Sequence, residues 1–134
     1  MKRSVRWTKE QLTQFQARGT IMELPRMKND PNDRYKNPWE REFDKSILYV
    51  KMIRGEIYKY AYEPCNFRLA KNTYIRPDFI AALVNGQLVV YEVKGFRRDK
   101  WIAKWKIFKE QYYWMFDAFY IAEKINGVWQ IREG

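Results

Sequence analysis

The sequence predicts a mixed α/β domain: a central β-sheet with α-helices packed on it. Three observations lead there. Residues 38–53 and the stretch after Gly95 carry apolar side chains at helical spacing, residues 57–94 read as short extended segments, and the order helix, strands, helix, strand suits a layered sheet flanked by helices. A chain of 134 residues and 16.5 kDa leaves room for one core, so residues 1–134 are read as a single domain, with a helix and loop extension at 1–37 and a core at 38–131.

The elements follow in order. Thr8-Lys9-Glu10-Gln11 fits a capping box, Leu12 and Phe15 lie on one side, and Gly19 is a stop, so a peripheral helix is expected there. Residues 20–38, with Pro25, Pro31 and Pro38, read as a loop. Asn37-Pro38 opens a second helix that runs to about Ile53, with Trp39, Phe43, Ile47 and Val50 as its apolar face and Gly55 as its end. Ile57 to Phe79 is rich in Tyr, Ile and Phe, which predicts strands broken near Pro64 and at Lys71-Asn72. Asn85-Gly86 divides two apolar runs and signals a hairpin, in which Leu88 to Val93 is a central strand. The helix after Gly95 buries Trp101, Trp105, Phe108, Tyr112 and Met115. Phe119–Ile125 and Val128–Ile131, split by Asn126-Gly127, read as a final hairpin or a strand with a short tail.

Composition narrows the function. Lys and Arg number 26 against 16 Asp and Glu, a formal charge of +10, and the pI is near 9.7, which points to a polyanionic partner. The absence of His removes triads with an imidazole base, His-metal nucleases, imidazole zinc sites and zinc deaminases. Acid–base chemistry falls to carboxylates, Lys or Tyr. The lone Cys65 makes no internal disulfide and is expected as a small core residue in a reducing compartment. No apolar run is long enough to cross a bilayer and Met1-Lys2-Arg3 leads into polar sequence, so a cytoplasmic protein without membrane association is expected.

The informative segment is Pro77-Asp78 followed, after thirteen residues, by Glu92-Val93-Lys94-Gly95. In a strand, Glu92 and Lys94 point to one face and Val93 to the other. A charged pair ending an apolar strand costs several kcal/mol if buried without partners. A divalent cation supplies one partner: two carboxylates on adjacent strands are the hard oxygen donors that Mg²⁺ prefers, and Lys94 is then placed to serve an attacking water or a phosphate.

These residues resemble the PD-(D/E)XK nuclease superfamily, whose fold is that of restriction endonucleases. Tyr62-Glu63-Pro64, Tyr74-Ile75-Arg76-Pro77-Asp78-Phe79 and Tyr91-Glu92-Val93-Lys94-Gly95-Phe96 look most like the small nucleases of bacteriophages and prophages. The resemblance covers about residues 38–131. It implies a restriction-endonuclease-like core, Asp78 and Glu92 as ligands of Mg²⁺ or Mn²⁺ with Val93 beside them in the metal set, and Lys94 serving the water. It also implies an assisting carboxylate on the preceding helix, Glu40 ahead of Glu42, because Glu40 lies nearer the core-facing stripe. Basic residues on the following helix are implied as DNA contacts, here Lys104 and Lys106. The concentration of Arg97, Arg98 and Lys100 just after the motif favours phosphate contacts as well, and Arg76 is a candidate contact where this chain departs from the pattern, since many relatives have a small polar residue before the Pro-Asp.

Register gives an internal test. A two-residue turn at Asn85-Gly86 pairs residue i with 171 − i and sets Asp78 opposite Val93, on the wrong face. A three-residue loop, Val84-Asn85-Gly86, with Gly86 left-handed, pairs i with 170 − i and sets Asp78 opposite Glu92, and this register is the expected one.

Plainer readings stand beside these. Glu40 is also a carboxylate favoured at a helix N-terminus, Glu63 a hydrogen-bond acceptor, and the basic residues after the motif a solvated face. The expected function is a metal-dependent DNA endonuclease that leaves 5′-phosphate and 3′-hydroxyl ends. The alternatives are a non-catalytic DNA-binding module on the same fold, or a nuclease subunit of a phage packaging, recombination or transposition assembly. A homodimer would favour paired cuts and a monomer nicking.

Overall fold

In a computed structural model, residues 35, 37–94 and 99–134 are described. The expected helix at residues 8–19 and the candidate DNA contacts Arg97 and Arg98 lie outside them. The first helical unit comprises α1 (Pro38–Phe43), a π-helical stretch (Asp44–Leu48) and α2 (Tyr49–Ile53). Asn37 caps it by accepting from the Glu40 N–H at 3.0 Å, and Pro38 takes the first turn, where its missing N–H costs nothing. Five strands form the main sheet: β1 (Ile57–Tyr62), β4 (Phe79–Leu83), β5 (Leu88–Lys94), β6 (Ala118–Ile125) and β7 (Val128–Glu133), in the order β1-β4-β5-β6-β7. β5 is central as its apolar run requires. It pairs antiparallel with β4 and parallel with β6, the crossover carrying α3 (Asp99–Tyr112). β2 (Phe67–Ala70) and β3 (Thr73–Ile75) make a separate two-stranded ribbon. The domain is thus mixed α/β, and among the described residues no helix is long and apolar enough to cross a membrane.

Period-two alternation along β5 divides the interior into two cores. Val89, Tyr91 and Val93 join Phe43, Leu48, Ile57 and Phe79 beneath the first helix. Val90 joins Trp105, Phe108, Phe116 and Ile121 beneath α3, together with Phe67, Leu69 and Ile75 of the ribbon. Glu92 and Lys94 share the parity of Val90, so they face the α3 side at the end of the strand.

Three sequence expectations need correction. The first helix buries Glu40, Phe43, Asp44 and Leu48, whereas Trp39 is 43% exposed and Ile47 and Val50 are half-buried. The π-helical stretch explains why Leu48 and not Ile47 is buried, because one extra residue per turn changes the phase of the face from there on. Met115 lies past the end of α3 and is exposed, so the α3 stripe ends at Tyr112. Cys65 is exposed, in the connection between β1 and β2, and not in the core.

Candidate active site

The site forms where β4 and β5 part. Their ladder pairs Phe79 with Tyr91 and Ala82 with Leu88, so residue i faces 170 − i. A three-residue loop sets this register: the Leu83 N–H donates to the Gln87 carbonyl at 2.8 Å and Gly86 takes φ +92°. The register anticipated from the sequence is therefore the one present, and continued by one residue it sets Asp78 opposite Glu92.

Beyond Phe79 and Tyr91, side chains replace the backbone ladder. The Val93 N–H donates to Asp78 Oδ2 at 2.8 Å, and the Asp78 N–H donates to Glu92 Oε2 at 3.1 Å. Each carboxylate thus satisfies a backbone donor of the other strand. Asp78 is 7% and Glu92 4% exposed. Glu40 joins them from α1 at 5% exposure, within hydrogen-bonding reach of the Asp78 carboxyl, and Tyr62 Oη donates to Glu40 Oε2 at 2.7 Å. Lys94 Nζ lies 3.2 Å from Glu92 Oε1 and 3.9 Å from the centroid of the Trp101 ring, which holds its ammonium from the α3 side. A cleft of about 300 Å³ opens onto these groups, lined by Asn37, Trp39, Glu40, Asp78, Glu92, Val93 and Lys94. A larger cavity of about 660 Å³, at the hairpin end, has Glu56 as its one carboxylate.

Electrostatics set this cluster apart. Burial, then the Glu92 charge, then the Glu40 charge hold the Asp78 carboxyl well above the usual carboxylate range, against the pull of the Val93 N–H. Burial also raises Glu92, opposed chiefly by the Lys94 ammonium. Like charges crowded in a dry cleft favour a shared proton or a bound cation. The donor set fits a hard divalent ion: Asp78 and Glu92 offer carboxylate oxygens, and Val93 lines the same cleft between Glu92 and Lys94. Among the described residues no three acidic, His or Cys side chains close into a ready-made metal cage. Mg²⁺ asks for less, since it usually binds through one or two carboxylates and keeps several waters.

The other expected residues fall in different places. Glu42 turns outward and pairs with Lys124. Glu63 has a left-handed backbone at φ +43° and donates its N–H to the Asp78 carbonyl at 2.8 Å, while its carboxylate lies 4.0 Å from Arg76. A non-glycine residue held there implies local strain beside the site. Arg76 is exposed and also donates to Asn66 Oδ1 at 2.7 Å. Lys100 is exposed on the first turn of α3. Lys104 donates to the Tyr74 carbonyl at 3.1 Å, and Lys106 lines a groove with Lys109, Tyr113 and Phe119, so neither ammonium joins the carboxylate cluster. Sequence reasoning missed Tyr62 as the residue that orients Glu40 and Trp101 as the platform for Lys94. The alternation of Tyr58, Tyr60 and Tyr62 hints at the first; nothing local signals the second.

Comparison with known proteins finds no matching family model, no matching curated protein and no matching solved structure.

Proposed function

We propose that the chain is a metal-dependent DNA endonuclease built on a restriction-endonuclease-like core. The observation that carries the proposal is the reciprocal pair Asp78 and Glu92, buried at the parting of two strands in the register that brings them together, with Lys94 and Glu40 against them. Buried carboxylates at raised pKa in a cleft, each with a specific partner, are a functional signature with a physical cost that packing alone does not explain.

Asp78 and Glu92, with the Val93 carbonyl, would hold Mg²⁺ or Mn²⁺. Such an ion would supply Lewis-acid chemistry, offsetting negative charge on the scissile phosphate and favouring attack by water. The remaining steps belong to the chain. Lys94 Nζ donates to the attacking water or to a phosphate oxygen, and Trp101 beneath it limits the directions it can take. Glu40, fixed by the Tyr62 hydroxyl, accepts a proton from water at Oε1 or Oε2. The water oxygen bonds to phosphorus as the bond to the 3′ oxygen breaks in line, and that oxygen is protonated as it leaves. The net charge of +10 draws the DNA in.

The test is to incubate supercoiled, linear and branched DNA with the protein in EDTA, Mg²⁺ or Mn²⁺, with Asp78→Ala alongside. Cutting that needs metal and disappears in the variant supports the reading. Equal cutting by both proteins overturns it, and DNA shifted but never cut favours the non-catalytic binding module.

A further inference from the structure

The segment between β1 and β4 carries a cationic surface that the catalytic cluster does not use. β2 and β3 stand apart from the main sheet, and a two-stranded hairpin is marginal in water by itself. This one is fastened to α3. Phe67, Leu69 and Ile75 bury into the α3 core. Tyr112 Oη donates to the Arg68 carbonyl at 2.8 Å, Gln111 Nε2 to the Leu69 carbonyl at 3.0 Å and Lys104 Nζ to the Tyr74 carbonyl at 3.1 Å.

Alternation then leaves the opposite face of the ribbon to solvent. Arg68 and Tyr74 lie directly across from each other on that face, and Lys71 is exposed at the turn. Residues 66–76 contain Arg68, Lys71 and Arg76 and no acidic residue. Among the described residues neither Arg68 nor Lys71 is ion-paired. Unpaired like charges held on a rigid element raise the local potential and call for a polyanion.

The chain itself measures how far this surface lies from the carboxylates. β3 runs through Arg76 and Pro77 into Asp78. At ~3.3 Å per residue, Tyr74 and its cross-strand neighbour Arg68 lie at most ~13 Å along from Asp78, and Lys71 at most ~23 Å. Duplex DNA rises ~3.4 Å per base pair, so these reaches correspond to about four and about seven base pairs. A stiff duplex holds its phosphates at fixed spacing, which a rigid ribbon can meet without ordering either partner.

We infer that the β2–β3 ribbon is a backbone clamp for duplex DNA, with Arg68 and Lys71 each neutralising a phosphate up to about four and seven base pairs to one side of the cut. The position of the cut rests on the nuclease reading; the clamp itself rests on the ribbon's charge and anchoring.

The experiment measures binding of the full chain in EDTA, where cutting is not needed, to a labelled duplex and to the same strand alone over a range of salt. For the duplex, Arg68→Ala/Lys71→Ala should lower the slope of log K against log salt by about 1.8, or ~0.9 per lost phosphate contact. Lys45→Ala/Lys59→Ala, which removes two exposed charges elsewhere, should leave that slope unchanged. Equal thermal unfolding of the wild type and the two double variants secures the comparison. If the wild type binds no DNA, the nuclease reading falls and the clamp with it. If the wild type binds and cuts but the ribbon variant keeps the full slope, the clamp alone is overturned. A loss seen only on single-stranded DNA overturns the duplex assignment.

Discussion

The two ends of the β4–β5 pair are closed in opposite ways. At the hairpin end, backbone satisfies backbone: Leu83 bonds Gln87, and the Gly86 N–H donates to the Leu83 carbonyl at 3.0 Å. At the other end the same kind of donors, the N–H groups of Asp78 and Val93, are satisfied by buried carboxylates. Neutral carbonyls do that work without bringing charge into a dry interior, whereas Asp78 and Glu92 bring two, with Glu40 as a third. The hairpin end is organised for stability, and the carboxylate end gives some of that stability up. Such an exchange is what the proposed active site would require.

The sharpest way to break this contrast is to remove the central carboxylate. Asp78→Ala should lower metal-dependent cutting by about a thousandfold or more, with DNA affinity in EDTA nearly unchanged; a nicking assay beside an anisotropy titration checks both. Next in size, Asp78→Asn keeps a side-chain oxygen for the Val93 N–H and removes the cost of taking up a proton on folding, which the raised Asp78 carboxyl carries near pH 8. In EDTA near pH 8 it should raise unfolding stability by about 1–3 kcal/mol, read from urea titrations, while cutting is lost.

The same charges set a pH dependence. Asp78 titrates higher in the folded protein than in the unfolded chain, and Glu92 shifts the same way. Between the ordinary carboxylate range and the shifted one, the folded state therefore holds more protons. Stability in EDTA should be greatest on the acid side of that window and fall as pH rises through neutrality. Urea midpoints from about pH 5 to 8 should decline more steeply for the wild type than for Asp78→Asn, and Mg²⁺ should restore the loss at the upper end. At the opposite end of the strands the effect is smaller. Gly86→Ala should cost about 1 kcal/mol, because Gly86 sits at φ +92° where a Cβ is strained. Tyr62→Phe should cost a similar ~1 kcal/mol and lower the rate of cutting more than it weakens substrate binding, since it removes the hydroxyl that donates to Glu40 Oε2.

What the sequence revealed and what it hid divide along physical lines. The strands, the central place of Leu88–Val93 and the odd-length loop at Val84-Asn85-Gly86 were legible because turn chemistry and period-two alternation are local. The inward place of Glu40, ahead of Glu42, was legible too; the lower part of the first helix's face was not, because a π-helical stretch leaves no composition signal and moves the buried position from Ile47 to Leu48. Lys104 read as one more basic residue after the motif; only the tertiary packing of the ribbon on α3 turns it toward the Tyr74 carbonyl. Cys65 read as core from residue type alone, and the exposed connection at Pro64-Cys65-Asn66 overrides that preference.

The π-helical stretch at Asp44–Leu48 also has a consequence for how this chain tolerates length changes. A deletion of one residue within it would restore regular α-helical winding, normally the more favourable state. Everything upstream would then turn by about 100° and move by about 1.5 Å relative to the sheet. Pro38 to Phe43 would keep their helix, their cap and their sequence, yet Glu40 would swing off the Asp78 carboxyl. A shortened helix of this kind would be the better-wound one and would leave the cleft short of its third carboxylate, so indel tolerance here should follow the geometry of the cleft and not the quality of the helix.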